Sequence, residues 1–445
     1  MKKKKYWPKN MLTFAVLILF IGTFFIPAIT GITIEKESDT ISLSMSKSGW
    51  IKTFGTTDWD DVAYSVQQTS DGGYILVGYT ESYGAGDDDA WLIKTDANGN
   101  KQWDKTFGGA GWDMGESVQQ TSDGGYIIAG KTNDYAWLIK TDANGNKQWD
   151  KTFGENGKYW GQSAQQTSDS GYIMVAFRYT GGDEVWLIKY DADGNEQWNK
   201  SFGGSYGTRD HYFSVEQTDD GGYIISGSKD TYRADVWLIK TDDEGNKQWD
   251  KTFGKEKTGY DCGNSVQQTS DGGYIVAGFT GDSSDERDVW LIKTDDEGNK
   301  QWDKTFGGAE WEGGQSVQQT SDGGYIIAGW KGYGPGRRDI WLIKTDDEGN
   351  KQWDKTLGAA GFRIHKGLHI GYSIQQTSDE GFIIAGKTSF DSATNANIIL
   401  IKTDKNGNTC KAKSSNPKFF DSLNRYTFLN RFFQHFPVFN KLVNL

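Results

Sequence analysis

The sequence of residues 117–130 reads SVQQTSDGGYIIAG, and it decides the fold because close copies of it recur along the chain. The central aromatic residues of successive copies are 52, 46, 51, 51, 51 and 57 residues apart. They are Tyr74, Tyr126, Tyr172, Tyr223, Tyr274, Tyr325 and Phe382. A period of this length is typical of a repeat architecture rather than of several unrelated domains.

Each repeat contains four short runs, here called a to d. In the first copy they cover residues 65–69, 74–78, 91–95 and 102–107. Runs b and c are almost continuously apolar, as expected of strands that are covered on both faces. The a–b link SDGG and the c–d link DANGN carry residues that tolerate positive φ and predict tight hairpins. Each repeat therefore predicts a four-stranded antiparallel sheet, which is the blade of a β-propeller.

The two ends of the repeat region complement each other. The seventh repeat has runs a, b and c but continues as NGNTCK at 406–411, without the QWDKTFG of run d. The missing run stands at the front of the chain, as GWIKTFG at 49–55. A ring that borrows this strand leaves no sheet edge unpaired. We therefore predict an all-β, seven-bladed β-propeller over residues 48–411, closed by an N-terminal strand.

The segments outside the repeats have a different composition. Residues 1–32 combine five lysines with a long apolar run and predict a signal peptide or a membrane anchor, so the protein is expected to be exported. Residues 33–47 are expected to be a linker. Residues 412–445 predict an amphipathic helical tail with Phe and Arg. The tail is an interfacial membrane helix, a surface-retention signal or a cap on the propeller. The expected location is the cell surface, membrane-anchored or secreted.

Charge narrows the choice of partners. The formal net charge is −12. Both termini are basic, and when they are set aside residues 10–410 contain 37 basic and 59 acidic residues. Such an acidic body repels phosphate backbones and excludes nucleic acid as a partner, whereas it favours metal cations or basic surfaces. Cys262 and Cys410 lie in different repeats and predict no disulfide framework.

The Asp-x-x-Gly-(x)3-Trp step at residues 96–103 resembles the tryptophan-docking motif of quinoprotein-like (PQQ-repeat-like) propellers. The order of YIIAG, DVWLIK and Trp also resembles kelch repeats. The resemblance implies that one Trp per repeat wedges between adjacent blades. These residues are Trp50, Trp103, Trp149, Trp198, Trp249, Trp302 and Trp353. Enzymes of that family stack their quinone on a vicinal disulfide, and this chain has no adjacent cysteines. The resemblance therefore implies a non-enzymatic member.

Sequence variation points to one face of the predicted disc. The a–b and c–d links are short and nearly constant, whereas the b–c loops and d–a connections vary in length and content, as binding loops do. Aromatic residues in the d–a connections, with nearby acids, suit sugars or cationic groups. Alternatively they only fill blade junctions. The candidate binding residues are Trp59, Trp112, Trp160, Tyr212, Tyr260, Trp311, Asp113, Asp261 and Glu310.

No residue is nominated as catalytic or metal-binding. His365 and His369 lie four apart, but they lack a third ligand and are interpreted as part of a polar loop. No cofactor is expected, although Asp-rich stretches leave calcium open. The predicted function is a non-catalytic binding or scaffold module for a protein, peptide or glycan, in contact with a membrane through its terminal segments. The alternative is a secreted carbohydrate-active hydrolase that uses acids on the variable-loop face.

Overall fold

The structure is a computed structural model. It describes residues 32–37, 40–45, 49–56, 58–154, 159–178, 183–205, 213–229, 234–254, 259–282, 286–332, 337–357, 367–389 and 395–409. Every regular element in these ranges is a β-strand. A search of the same ranges finds no helix capable of spanning a membrane. The predicted N-terminal apolar segment up to residue 31 and the predicted C-terminal tail lie outside the described residues.

The chain divides into two compact bodies, one formed by Met1–Lys47 with Lys411–Leu445 and the other by Ser48–Cys410. In the first body, β1 (Ile32–Glu37) pairs antiparallel with β2 (Thr40–Met45). This hairpin occupies the segment that we expected to be a linker. Its two strands read ITIEKE and TISLSM, whose apolar residues recur with the period of two that is typical of strands.

The second body consists of β3 (Trp50–Phe54) and the strands of the seven sequence repeats, four in each of repeats 1 to 6 and three in repeat 7. Repeats 1 and 2 comprise β4 (Asp61–Gln68), β5 (Tyr74–Thr80), β6 (Asp89–Thr95), β7 (Lys101–Phe107), β8 (Asp113–Gln120), β9 (Tyr126–Thr132), β10 (Tyr135–Thr141) and β11 (Lys147–Phe153). Repeats 3 and 4 comprise β12 (Tyr159–Gln166), β13 (Tyr172–Arg178), β14 (Asp183–Tyr190), β15 (Glu196–Ser205), β16 (Ser214–Gln217), β17 (Tyr223–Lys229), β18 (Asp235–Thr241) and β19 (Lys247–Phe253). Repeats 5 to 7 comprise β20 (Cys262–Gln268), β21 (Tyr274–Asp282), β22 (Glu286–Thr294), β23 (Lys300–Phe306), β24 (Glu312–Gln319), β25 (Tyr325–Gly332), β26 (Arg338–Thr345), β27 (Lys351–Leu357), β28 (Leu368–Gln376), β29 (Phe382–Ser389) and β30 (Asn397–Thr403).

Within each repeat the strands pair antiparallel in chain order, as the hairpin links predict. The seventh repeat provides only three strands, and β3 pairs antiparallel with β30 as its fourth. Trp50 lies opposite Lys402, and Phe54 lies opposite Ile398. A single parallel bridge between Arg338 and Leu368 connects the sheets of repeats 6 and 7.

The apolar core lies between repeats. Successive side chains of strand b point to opposite faces of the sheet. Leu76 therefore packs with residues of repeat 7 such as Ile383, whereas Ile75 packs with residues of repeat 2 such as Ile128. The described residues form seven such clusters, one at each boundary between consecutive repeats, including the boundary between repeats 7 and 1. Each sheet is therefore covered on both faces, which explains the continuous apolar character of strands b and c.

Tryptophan side chains of strand d reinforce these boundaries. The Trp103 ring makes an edge contact with Tyr126 of the next repeat, with ring centroids 6.0 Å apart. It also covers Gly145 in the next c–d turn, where a Cβ atom would collide with the ring. Gly145 has a φ of +75°, so glycine is required there for both conformation and space. Trp50 of β3 makes the corresponding contacts with Tyr74 and Gly99 of repeat 1.

A circle of hydrogen bonds joins the innermost strands. The first residue of each Gln-Gln pair accepts a hydrogen bond from the backbone N–H of the second residue in the next repeat. For example, Gln120 N–H donates to Gln67 Oε1 at 2.6 Å, and Gln68 N–H donates to Gln375 Oε1 at 2.6 Å. The other five links lie between these and use Gln119, Gln165, Glu216, Gln267 and Gln318 as acceptors. The series returns to its starting strand.

An ion pair between a buried lysine and a partly exposed aspartate secures the a–b hairpin of every repeat. Lys240, whose side chain is 4% exposed, contacts Asp220 at 2.8 Å and donates to the backbone carbonyl of Thr241. Burial tends to raise the pKa of Asp220, but hydrogen bonds from Lys240, Thr218 and the Gly222 N–H outweigh it, so the pKa is lowered. The equivalent pairs are Lys94–Asp71, Lys140–Asp123, Lys189–Asp169, Lys293–Asp271, Lys344–Asp322 and Lys402–Asp379.

These pairs predict acid sensitivity. A carboxyl group with a depressed pKa in the folded state stabilises the fold above its unfolded pKa, and this contribution is lost as pH falls through the folded value. For Asp71, whose pKa is lowered to about 2, the contribution is lost between the usual value of 3.8 and about 2. We expect Asp220→Asn to lower the melting temperature at neutral pH, and the difference from wild type to shrink as the pH falls below the usual pKa of an aspartate. Exposed Asp243, in the same repeat, provides the control Asp243→Asn. An effect of Asp220→Asn that is equal at all pH values would contradict the prediction.

Candidate functional site

The b–c loops and the d–a connections lie at the same end of the antiparallel strands, and we call this end the variable-loop face. Among the described residues, every exposed large hydrophobic side chain lies in these connections or, for Tyr135, at the first residue of a strand that follows one. They are Trp59 (57% exposed), Tyr83 (46%), Trp112 (59%), Tyr135 (44%) and Trp311 (39%). Sequence reasoning missed Tyr83 and Tyr135 because it considered the aromatic residues of the d–a connections alone.

Four of these five side chains belong to repeats 1 and 2, and backbone contacts tie their loops together. We call Trp59, Tyr83, Trp112 and Tyr135 the aromatic arc. Glu81, two residues before Tyr83, donates its N–H to the carbonyl of Asp60 at 3.0 Å. Trp112 forms a parallel bridge with Asp88 and donates its indole N–H to Asp87 at 3.1 Å. Its carbonyl accepts from the N–H of Asn133, two residues before Tyr135.

Cations of the chain itself lie against several aromatic rings of this face. Lys131 lies over the rings of Trp160 at 4.4 Å and Trp112 at 5.7 Å. Arg287 lies over the rings of Tyr260 at 5.0 Å and Trp311 at 5.8 Å. These rings therefore already interact with a positive charge, which disfavours a second cation at the same rings. Trp59 makes no hydrogen bond or ring contact with any described residue.

The structure divides the candidate binding residues. Trp160 is half-buried against Phe177, with ring centroids 5.6 Å apart, and Tyr260 stacks on Phe279 at 5.8 Å. These two side chains fill junctions, as the alternative interpretation expected. Tyr212 lies outside the described residues, and Glu310 is half-buried.

The candidate acidic residues are less exposed than the prediction of a binding surface requires. Asp113 and Asp261 are fully buried and cannot line an open surface. Asp113 Oδ2 accepts the N–H of Gly109 at 2.7 Å, and the equivalent Asp61 binds the N–H of Thr56 at 3.1 Å and the Ser82 hydroxyl at 2.6 Å. A buried carboxylate needs hydrogen-bond donors of this kind. By accepting them, these carboxyl groups hold the d–a connections in place.

Asp88 adjoins this network, because its backbone carbonyl accepts the N–H of Asp113 at 2.9 Å. Burial raises the pKa of Asp88 to about 6, with the charge of Glu81 adding to the effect and Lys131 opposing it. Within the described ranges, no group of three or more His, Cys, Asp or Glu side chains is arranged to hold a metal ion. His369 is buried and its Nδ1 lies 2.7 Å from the Thr388 hydroxyl, while His365 lies outside the described residues.

A cavity of about 150 Å³ lies between the seven innermost strands. Its lining alternates one residue that differs between repeats with one serine from each repeat. We call the differing residues the bulge ring, because six of them sit at a β-bulge in strand a. The bulge ring consists of Tyr64, Glu116, Gln162, Phe213, Asn264, Gln315 and Tyr372. Burial raises the pKa of Glu116 to about 7, and Lys131 partly offsets this.

Comparison with solved structures gives the fold. A puromycin hydrolase complexed with PGG matches 81% of this chain and 55% of its own, at 12% identity and a TM-score of 0.51. This chain thus spans about half of that enzyme. The solved structures that it matches are β-propeller-like. The fold is a β-propeller.

Two further neighbours are similar to the propeller at comparable identity. A protein of unknown function from Dyadobacter fermentans has 11% identity, covering 80% of this chain and 98% of that one, with a TM-score of 0.46. BBS1N in complex with ARL6DN has 10% identity, covering 82% and 97%, with a TM-score of 0.46. No family model and no curated protein matches the chain. The quinoprotein-like resemblance therefore stays a prediction.

Proposed function

We propose that this chain is an exported, non-catalytic, seven-bladed β-propeller that binds a glycan through the aromatic arc of its variable-loop face. The observation that carries the proposal is that four large aromatic side chains of the described residues are exposed together on adjoining loops of repeats 1 and 2. Large exposed aromatic residues that cluster on variable loops are typical of binding surfaces.

The charges near the arc favour a glycan over a basic protein or peptide. A basic partner would approach Trp112 next to Lys131, which lies over that ring. A sugar needs an apolar ring face to stack on and hydrogen-bonding groups at its edge. Exposed Asp87 and Glu81 lie beside Trp112 and Tyr83 and offer oxygens that accept hydrogen bonds from hydroxyl groups.

A glycan array probed with the full-length protein tests this function. We expect selective binding of uncharged glycans, and we expect Trp59→Ala to weaken it about tenfold, since a stacked aromatic ring contributes about 0.5–1.5 kcal/mol beyond buried area. Trp311→Ala is the matched control, because Trp311 lies outside the arc and under Arg287. Failure to bind any glycan, or equal losses in the two variants, would refute the proposal. Retention on an array of basic peptides instead would favour a protein partner.

The alternative, a carbohydrate-active hydrolase, rests on Asp88, whose raised pKa of about 6 suits a general acid. A glycosidase also needs a second carboxyl group at a fixed separation across the bound sugar. The nearby buried acids Asp61 and Asp113 hold backbone N–H groups of the d–a connections, which favours a structural role. Incubation with the glycans that bind on the array should therefore release no new reducing ends.

The same proposal places the propeller outside the cytoplasm, at a membrane. It rests on the sequence of residues 1–32, in which lysines precede an apolar run long enough to span a bilayer. We expect this segment to remain uncleaved and to act as the anchor, with the basic, aromatic tail at 412–445 in a supporting role. The protein should then stay with membranes during carbonate extraction. Recovery of a soluble form that begins near residue 32 would show that the segment is a cleaved signal peptide.

A further inference from the structure

The bulge ring differs from the rest of strand a in its sequence. After the bulge the strand reads Ser, then an apolar residue, then Gln or Glu and Gln, in every repeat. The bulge position itself carries Tyr, Glu, Gln, Phe, Asn, Gln and Tyr in turn. The backbone is thus repeated seven times, while the side chain aimed into the cavity changes. Bulges of this kind re-aim a side chain and are enriched next to binding sites.

One member of the ring offers a carboxamide to the cavity. Gln162 is 8% exposed as a whole residue and lines the cavity, and its carboxamide makes no hydrogen bond with any described residue. Asn264, at the equivalent position in repeat 5, is occupied within the fold, because it donates to the Gly314 carbonyl at 2.7 Å and accepts from Cys262. The Gln162 amide can therefore hydrogen-bond to water or to a ligand in the cavity.

The described lining disfavours charged and purely apolar ligands. No Lys, Arg or His side chain of the described residues lines the cavity, so an anion would find no counter-charge among them, and Glu116 would repel it. A cation would rely on Glu116 alone, and burial favours the neutral form of that group. Hydroxyl and carboxamide groups from all seven repeats would lose hydrogen bonds to water if an apolar molecule entered.

The remaining surfaces suit a small polar ring. Tyr64 and Tyr372 meet edge to face with centroids 5.0 Å apart, and Phe213 adds a third aromatic side chain. These rings offer apolar contact, while Gln162 and Gln315 offer both donors and acceptors. A cavity of about 150 Å³ has space for one six-membered ring.

We propose that the cavity enclosed by the bulge ring binds a single uncharged sugar unit. The inference rests on the proposed glycan-binding function and adds a site that is separate from the aromatic arc. Strand a begins at the d–a connection, so the bulge ring lies at the variable-loop side of the serine ring. A sugar unit entering from this face would reach the bulge ring before the serines.

Titration of the full-length protein with D-glucose, D-galactose, D-mannose and N-acetylglucosamine, followed by saturation-transfer NMR and calorimetry, tests this site. We expect saturable binding of at least one of these sugars. Gln162→Leu should weaken it about tenfold, the loss of one or two hydrogen bonds, with no change in melting temperature because no protein contact is removed. Gln315→Leu is the second variant, should the first fail to fold. Exposed Gln301, which makes no hydrogen bond within the described residues, gives the control Gln301→Leu.

The arc variant separates this site from the proposed function. Trp59→Ala should leave monosaccharide binding unchanged while it weakens binding on the glycan array. No binding of the four sugars to the wild type would overturn the cavity site, because water alone then fills it. Binding that both Gln162→Leu and Gln315→Leu leave intact would overturn it too. Loss of monosaccharide binding in Trp59→Ala alone would assign the sugar to the arc and leave the proposed function standing.

Discussion

Apolar packing between neighbouring sheets is the interaction on which the rest of this structure depends. Each sheet buries side chains on both faces, as Leu76 and Ile75 do on opposite sides of one strand. No repeat therefore has a core of its own, and each needs a neighbour on both sides. An open row would leave two apolar faces in water, whereas a closed ring leaves none. The boundary between β3, β30 and repeat 1 performs this closure with the same contacts as every other boundary.

The constancy of the repeats follows from this requirement, and so does the location of the variable residues. Trp103 needs Gly145 opposite it, and Lys240 needs Asp220, so substitutions at these positions weaken a boundary or a hairpin. Exposed side chains such as Trp59 and cavity-lining side chains such as Gln162 are free of this requirement, because they point into solvent or into the cavity. Function is thus expected where the repeated sequence changes.

Much of the fold could be predicted from the sequence, because its determinants are local. The glycines of the hairpin links, the alternation of apolar runs and the displaced run d at 49–55 all act over short distances or at the chain ends. The hairpin of β1 and β2 was missed because the segment resembles a linker in length and polarity. The β-bulges were missed because a bulge depends on strand register, which a single strand does not reveal.

The candidate site was less predictable, because exposure depends on the partners of each side chain. Trp112 and Trp160 have similar sequence surroundings, yet Trp112 is exposed and Trp160 packs against Phe177. Asp113 follows Trp112 directly but turns inward to hold the N–H of Gly109. The contacts of Lys131 with two aromatic rings could not be predicted from the sequence, because strand b and the d–a connections come together only in the folded chain.

Closure by the N-terminal strand is the central claim, and amide hydrogen exchange of β30 (Asn397–Thr403) tests it most directly. Two deletion variants would be compared with the wild type. One lacks residues 49–55 and the other lacks residues 35–48, and the rest of the chain is present in both. We expect the first deletion to remove protection from the β30 amides that face β3, because Trp50 to Phe54 pair with Lys402 to Ile398. The second deletion should leave it intact. Unchanged protection of β30 in both variants would contradict the closed ring.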